Sequence, residues 1–144
     1  MFNARCRHVD NYYLIGYNMR EDIHYCRTFV EVPSFISKWN ALRLTDDDLL
    51  RLQMTILSDP KAGAVIRGTG GVRKLRFAFD NQGKSGSSRV IYVDFEVHEK
   101  VFLLAVYTKA EKDNLTPAER NELKTLVTAL RSTMNSARKK EKQS

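Results

Sequence analysis

Residues 67–89 read RGTGGVRKLRFAFDNQGKSGSSR and hold six cations against a single acid, Asp80. Residues 72–79 alternate as a β-strand does, so that Lys74 and Arg76 lie on one side and Arg73, Leu75, Phe77 and Phe79 lie on the other. This pattern is typical of a sheet and not of a disordered basic tail. A folded sheet that concentrates positive charge is expected to meet a polyanion, and RNA is the first candidate.

The segments on either side continue the pattern of strands. Downstream, residues 81–87 are rich in Gly and Ser and predict a turn. Residues 89–97 and 101–108 then predict two more strands of an antiparallel meander. Upstream, residues 28–32 are rich in β-branched and aromatic side chains and predict a first strand that is available to join the sheet.

Three helices are predicted around these strands. Pro33 suits the first position of a helix whose apolar face includes Trp39, which we interpret as a core residue. Thr45 suits the N-cap of a second helix, and Thr116 with Glu119 forms a capping box before the last one. The order is therefore β-α-α-β-β-β-α, an α+β fold with an antiparallel sheet and helices packed on one face.

Composition narrows the class of protein. The chain has 144 residues and a net charge of +7, with a pI near 9.5. No apolar run is long enough to span a bilayer and no signal peptide is recognisable, which predicts a cytoplasmic protein with no membrane partner. The two cysteines do not make a disulfide framework, so reduced thiols are expected.

The chain divides into three parts. Residues 1–26 show no sustained helical or strand period and are interpreted as an N-terminal extension. Residues 27–135 form the predicted domain, and residues 136–144 form a basic tail.

Two clusters of potential metal ligands have simpler explanations. Cys6, His8, His24 and Cys26 could converge if they lie on strands, but their spacing is shorter than in common zinc sites. The three aspartates at 46–48 suit the positive start of a helix. No metal site is predicted.

Three pieces of the chain, taken as a set, carry a family resemblance. They are DPKAGAVIRGTGGVRKLRF (59–77), GKSGSSRVIYV (83–93) and LLAVYTKAEKDNLT (103–116). With them, the chain from about residue 28 to residue 131 resembles the RelE/ParE toxin superfamily, and within it the HigB-type toxins of type II toxin–antitoxin systems.

The resemblance implies a toxin that is a ribosome-dependent endoribonuclease, an mRNA interferase that cuts mRNA in the ribosomal A site and inhibits translation. Its implied partners are the 70S ribosome, mRNA and a cognate antitoxin, a HigA-like helix-turn-helix protein. Operator DNA would be reached only through that antitoxin. No cofactor is expected.

Metal-free RNA cleavage needs a base for the 2′-OH, cations for the scissile phosphate and an acid for the departing 5′-oxygen. The resemblance matches Arg89 to a phosphate-stabilising Arg, because a planar guanidinium can bind two oxygens at once. It matches Lys74 and Arg76 to paired basic residues on a strand. Lysines just past the last strand are candidates for base, acid or rRNA contact. The predicted catalytic residues are Lys74, Arg76, Arg89, Lys109 and Lys112.

A second set is predicted to contact substrate or ribosome, and Arg73 is its weakest member because it faces away from Lys74. Some RelE-type toxins place a Tyr near the final helix for proton transfer, and this chain has none there. Either lysines do this work, or a tyrosine of the sheet does. The predicted contacts are Arg67, Arg73, Lys84, Tyr92 and Tyr107.

Structural explanations of the basic residues and tyrosines, and two other functions, compete with this interpretation. Basic residues on a strand are also typical of a solvated sheet face, and tyrosines among aliphatic neighbours are also typical of a core or its rim. A ParE-like toxin that inhibits gyrase would share the fold without the basic catalytic set. A non-catalytic RNA- or ribosome-binding module is the third alternative, because fold does not determine function.

Overall fold

The computed structural model describes residues 5–8, 11–18, 23–79 and 87–143, with side chains over residues 26–79 and 87–140. Within these ranges, seven strands form one sheet and three α-helices pack on it. The strands are β1 (Arg5–His8), β2 (Asn11–Asn18), β3 (Ile23–Glu31), β4 (Ala64–Val65), β5 (Arg73–Ala78), β6 (Ser87–Phe95) and β7 (Lys100–Thr108). The helices are α1 (Pro33–Ala41), α2 (Asp46–Ser58) and α3 (Pro117–Gln143).

The strand order is β1-β2-β3-β7-β6-β5-β4. The predicted meander of β5, β6 and β7 is confirmed, and so is the α+β class. The sheet is mixed, however, and not antiparallel throughout, because β3 pairs with β7 in parallel. These two strands are far apart in the chain, so no hairpin forces them to run in opposite directions.

Helices cover both faces of the sheet, which corrects the prediction of helices on one face. On the first face, Phe35 of α1 and Leu52 of α2 pack with Val90 and Tyr92 of β6. On the second, α3 packs against the alternate residues of the same strand, among them Ile91. The reason is that β6 and β7 are apolar at successive positions, as strands buried on both faces are.

Residues 1–26 contribute strands, although the sequence shows no strand period there. β2 pairs with β3, which crosses the predicted domain boundary at residue 27. Backbone pairing needs only N–H and C=O groups, so it leaves no required pattern in the side chains. The side chains of Cys6, His8 and His24 lie outside the described residues, so the structure does not test whether the cysteines and histidines converge.

The predicted N-cap at Thr45 and the predicted capping box at Thr116 are both confirmed, and the structure shows that Thr45 also belongs to a capping box. Thr45 accepts a hydrogen bond from the backbone of Asp48 at 3.1 Å, and the Asp48 carboxylate accepts one from the backbone of Thr45 at 3.0 Å. Thr116 and Glu119 make the same reciprocal pair at the start of α3. Trp39 is buried and stacks on Phe35, as expected of a core residue.

The glycine-rich run before β5 is a tight connection. Gly68, Gly70 and Gly71 all adopt positive φ, which side chains disfavour. Between them, buried Thr69 closes the turn by donating to the carbonyl of Ile66 at 2.6 Å.

Among the residues that the structure describes, none of the helices carries an apolar stretch of membrane-spanning length.

Candidate functional site

The candidate site lies on the α3 face of the sheet, where apolar residues give way to cations. On β6 this face carries Ile91 and then Arg89 towards the start of the strand. Lys74 of β5 lies opposite Ile91, and Arg76 lies opposite Arg89. Because paired residues share a face, the register brings the three predicted cations together.

Tyr107 joins this group from the third strand. It lies directly opposite Arg89 in the pairing of β6 with β7. Its ring is buried, and the ammonium of Lys112 lies 5.0 Å from the ring centroid, a cation–π contact. No partner within the described residues hydrogen bonds its buried hydroxyl. A buried hydroxyl without a partner is costly, so this atom is a candidate for contact with a ligand.

Arg89 is almost fully buried, with 2% of its side chain exposed. Its Nη2 donates to Oδ1 of Asp113 at 2.9 Å, and its Nη1 donates to Oγ of Ser87 at 3.0 Å. Its Nε has no partner among the described residues. A guanidinium held in this way keeps its charge in a low-dielectric setting, where it acts strongly on a nearby anion.

The loop between β7 and α3 contacts the cationic group, which consists of Lys74, Arg76 and Arg89. Nζ of Lys74 donates to the carbonyl of Asp113 at 3.3 Å and to Oδ1 of Asn114 at 3.2 Å. Lys112 in the same loop forms an ion pair with Glu119 of α3. A cleft of about 260 Å³ opens beside these contacts, lined by Ile66, Lys74, Asn114, Leu115 and Arg120.

The charges of the site have defined effects on its titratable groups. Burial raises the pKa of Tyr107, Arg89 opposes that shift, and the carboxylates of Glu119 and Asp113 add to it. The phenol is therefore protonated at neutral pH and can donate a hydrogen bond or a proton. The hydrogen bond from Arg89 lowers the pKa of Asp113, and that from Lys112 lowers the pKa of Glu119, so both carboxylates are ionised.

A family model described as the RelE toxin of the RelE/RelB toxin–antitoxin system matches residues 35–143, well over half of the chain. The protein belongs to the RelE toxin family. It is thus a toxin of a toxin–antitoxin system, and membership of that family implies an antitoxin partner. The closer likeness to HigB-type toxins stays a prediction.

Several predicted residues of this RelE-family toxin lie outside the cationic group. Tyr92 is fully buried in the core beneath α1 and α2, on the opposite face from Lys74. Its hydroxyl donates to the carbonyl of Pro60 and accepts from the backbone of Gly63, so it holds a loop in place. Tyr92 therefore serves the core, and its contact with substrate stays a prediction that this placement does not support.

Arg73 also belongs to the scaffold of the toxin and not to the group around Arg89. Its Nη1 donates to the carbonyl of Gly63 at 2.7 Å and to that of Lys61 at 3.2 Å, which fixes the connection after α2. It faces away from Lys74, as the sequence predicts, and its prediction as a substrate contact loses support.

Three other predicted residues are exposed or lie outside the described residues. Arg67 is exposed in the glycine-rich turn, and Lys109 is exposed just after β7. Lys84 lies outside the described residues.

Sequence reasoning did not single out Asp113, Asn114 or Arg120. Arg120 lines the cleft, and its Nε is buried with no partner within the described part of the chain. The first two stand inside the piece LLAVYTKAEKDNLT, which carries part of the RelE resemblance, but an Asp-Asn pair after a strand is also typical of an ordinary turn.

Proposed function

We propose that this RelE-family toxin is a ribosome-dependent endoribonuclease that cleaves mRNA in the A site without a metal ion. The observation that carries the proposal is the convergence of Lys74, Arg76 and Arg89 with Tyr107 on one face of three adjacent strands. Cations and a protonated phenol are the group types that metal-free cleavage of a phosphodiester requires.

Arg89 is assigned to the scissile phosphate. As the 2′-oxygen attacks phosphorus, negative charge grows on the non-bridging oxygens. The guanidinium of Arg89 can stabilise that charge through two parallel hydrogen bonds, and Arg76 on the neighbouring strand adds a second cation. Burial in the sheet and the hydrogen bond to Ser87 hold Arg89, so little reorganisation is needed as the charge develops.

Tyr107 is assigned to the proton of the leaving group. The 2′-oxygen forms a bond to phosphorus, the bond from phosphorus to the 5′-oxygen breaks, and the products are a 2′,3′-cyclic phosphate and a 5′-hydroxyl. The phenol gives its proton to the 5′-oxygen, and Arg89 stabilises the phenolate that remains. This assignment is supported by the hydroxyl of Tyr107, which has no partner among the described residues, and by its protonated state.

A base must accept the 2′-OH proton, and the candidates are the lysines of the site in their neutral amine form, because an ammonium has no lone pair to accept a proton. Lys74 is the first choice because it lies on the same strand face as Arg76. Lys112 is the second, since its ammonium lies against Tyr107. Lys109 is exposed beside the site and is assigned, with Arg67, to contact with ribosomal RNA.

The proposed partners follow from this activity. The 70S ribosome would present mRNA to the cationic face, and a HigA-like helix-turn-helix antitoxin would neutralise the toxin and bind operator DNA. A polyanionic partner fits the net charge of +7.

Primer extension on a defined mRNA in a purified translation system tests the proposal. We expect cuts inside A-site codons only when ribosomes are present. Arg89→Ala should lower the cleavage rate about 100- to 1,000-fold, the usual cost of losing a preorganised donor. Lys61→Ala is the matched control, because Lys61 is an exposed cation paired with Glu96 outside the site, and its loss should change the rate less than 2-fold.

Intact mRNA with folded wild-type protein would contradict the proposal. A gyrase supercoiling assay would then decide between a ParE-like toxin and a non-catalytic ribosome-binding module. Equal loss of cleavage in Arg89→Ala and Lys61→Ala would contradict the assignment of Arg89 alone.

A further inference from the structure

The cationic group is already occupied by a carboxylate of the toxin itself. Asp113 places Oδ1 at 2.9 Å from Nη2 of Arg89, the distance expected of a charge-assisted hydrogen bond. At the same time, the ammonium of Lys74 donates hydrogen bonds to the backbone carbonyl of Asp113 and to the side-chain oxygen of Asn114. Residues 113 and 114 of the loop thus provide hydrogen-bond acceptors for two of the three cations that the proposed function assigns to RNA.

The two partners of the ion pair differ sharply in burial. Arg89 is 2% exposed, whereas the side chain of Asp113 is 55% exposed. An incoming anion can therefore replace Asp113 by moving only the exposed partner, while Arg89 keeps its place in the sheet. A carboxylate and a phosphate offer the guanidinium the same pair of oxygen acceptors, so they compete for one position.

We infer that Asp113 is an internal competitor for the RNA phosphate at Arg89 and thereby a specificity-determining residue against free RNA. This inference rests on the phosphate-binding role that the proposed function gives Arg89. Free RNA must displace Asp113 while also losing its own conformational freedom. RNA held on a ribosome presents its phosphate at a high effective concentration, which overcomes the same competitor.

A different role for Asp113 makes the opposite prediction. If Asp113 only positions Arg89, then removing its charge would loosen the guanidinium and weaken the binding of RNA. If Asp113 competes, the same change exposes a cation and strengthens binding. The sign of the effect therefore separates the two roles.

The experiment measures binding of a 2′-O-methyl RNA oligonucleotide to the full chain by fluorescence anisotropy, over a range of salt concentrations. The blocked 2′-oxygen prevents cleavage, so the measurement is independent of catalysis. Asp113→Asn keeps an oxygen acceptor beside Arg89 and removes the charge. We expect roughly 10-fold tighter binding, the usual strength of a hydrogen bond to a charged group. The salt dependence should steepen by about 0.7, the increment for one more phosphate contact on a single strand.

Glu111→Gln is the matched control. Glu111 lies in the same loop and loses the same charge, but its partner is Lys38 of α1, at 2.6 Å. We expect less than a 2-fold change in this variant. A gain in Glu111→Gln equal to that in Asp113→Asn would overturn the inference, because general electrostatics would then explain both.

Two further variants extend the test, and the first keeps the inference testable if Asp113→Asn folds poorly. Asn114→Ala removes an exposed anchor of the loop on Lys74 and should also tighten binding, by a smaller factor. In an Arg89→Ala background, Asp113→Asn should give no gain. Weaker or unchanged binding in Asp113→Asn and Asn114→Ala, or a gain that persists without Arg89, would overturn the inference. A gain in binding without cleavage on ribosomes would instead contradict only the proposed nuclease activity.

Discussion

The two faces of the sheet differ in whether their polar groups are satisfied. Beneath α1 and α2, the strands present a closed apolar core in which Val90 and Tyr92 are fully buried. Beneath α3, apolar residues give way to cations towards the start of β6, where Arg89 follows Ile91 in that direction. One face of the sheet is thus a closed core, whereas one end of the other face carries buried charge.

Two tyrosines on neighbouring strands make the contrast concrete. Both are buried, but the hydroxyl of Tyr92 has two partners, the carbonyl of Pro60 at 2.9 Å and the N–H of Gly63 at 3.0 Å. Packing around it is tight, because a Cβ on Gly63 would lie 3.0 Å from Cε1 of Tyr92. The hydroxyl of Tyr107 has no partner within the described residues. Burial alone therefore does not distinguish the two tyrosines, whereas their hydrogen bonds do.

The largest effect that tests this contrast is on catalysis. Tyr107→Phe should lower the cleavage rate about 100-fold, since it removes a general acid, with little change in stability. Tyr92→Phe should do the reverse and lower the free energy of unfolding by about 1–3 kcal/mol, because it leaves a buried N–H and a buried carbonyl unpaired. Cleavage kinetics and urea unfolding of both variants measure the two effects.

The opposite pattern of effects in the two variants would contradict this contrast between the tyrosines. Loss of cleavage in folded Tyr92→Phe, with Tyr107→Phe fully active, would return proton transfer to the lysines.

Alkaline pH gives a second test. Burial raises the pKa of both Tyr92 and Tyr107 in the folded protein. The stability that their neutral forms contribute is complete below the ordinary tyrosine pKa of about 10 and is lost as pH rises from there towards the folded values. The free energy of unfolding should fall above pH 10 by up to about 1.4 kcal/mol per pH unit for each group.

Chemical unfolding between pH 8 and pH 11 measures this slope. Tyr92→Phe removes one of the two groups and should flatten the decline relative to wild type. An identical decline in the variant would assign the loss to other groups, such as lysines.

The smallest expected effect concerns the cap of α2. Thr45→Ala removes the acceptor for the backbone of Asp48 and should lower the free energy of unfolding by about 1 kcal/mol. Because α2 covers the closed face, cleavage by the folded protein should be unchanged. A loss of cleavage beyond the unfolded fraction would show that the two faces are not independent.

Local sequence patterns predict much of this fold. The starts of α2 and α3 are readable because an N-cap contact joins residues three apart, as at Thr45 and Thr116. The basic strand was readable because side chains alternate, which put Lys74 and Arg76 on one face. The family resemblance added Arg89 to that set.

Other features depend on which distant segments meet. Nothing local to β3 indicates that it pairs in parallel with β7, and nothing local to residues 1–26 indicates that their strands extend the sheet. Apolar residues at successive positions of β6 did indicate two covered faces, and the prediction of helices on one face overlooked that signal.

The sequence by itself determined the α+β class, the starts of the helices and the presence of a basic strand, because each depends on the pattern of residues a few positions apart. Only the tertiary structure decided which groups form the site. Register placed Arg89 between Arg76 and Tyr107, put Tyr92 in the opposite core and brought Asp113 onto Arg89 from 24 residues away. Such contacts arise from long-range strand pairing and loop closure, so the local periodicity of the sequence does not predict them.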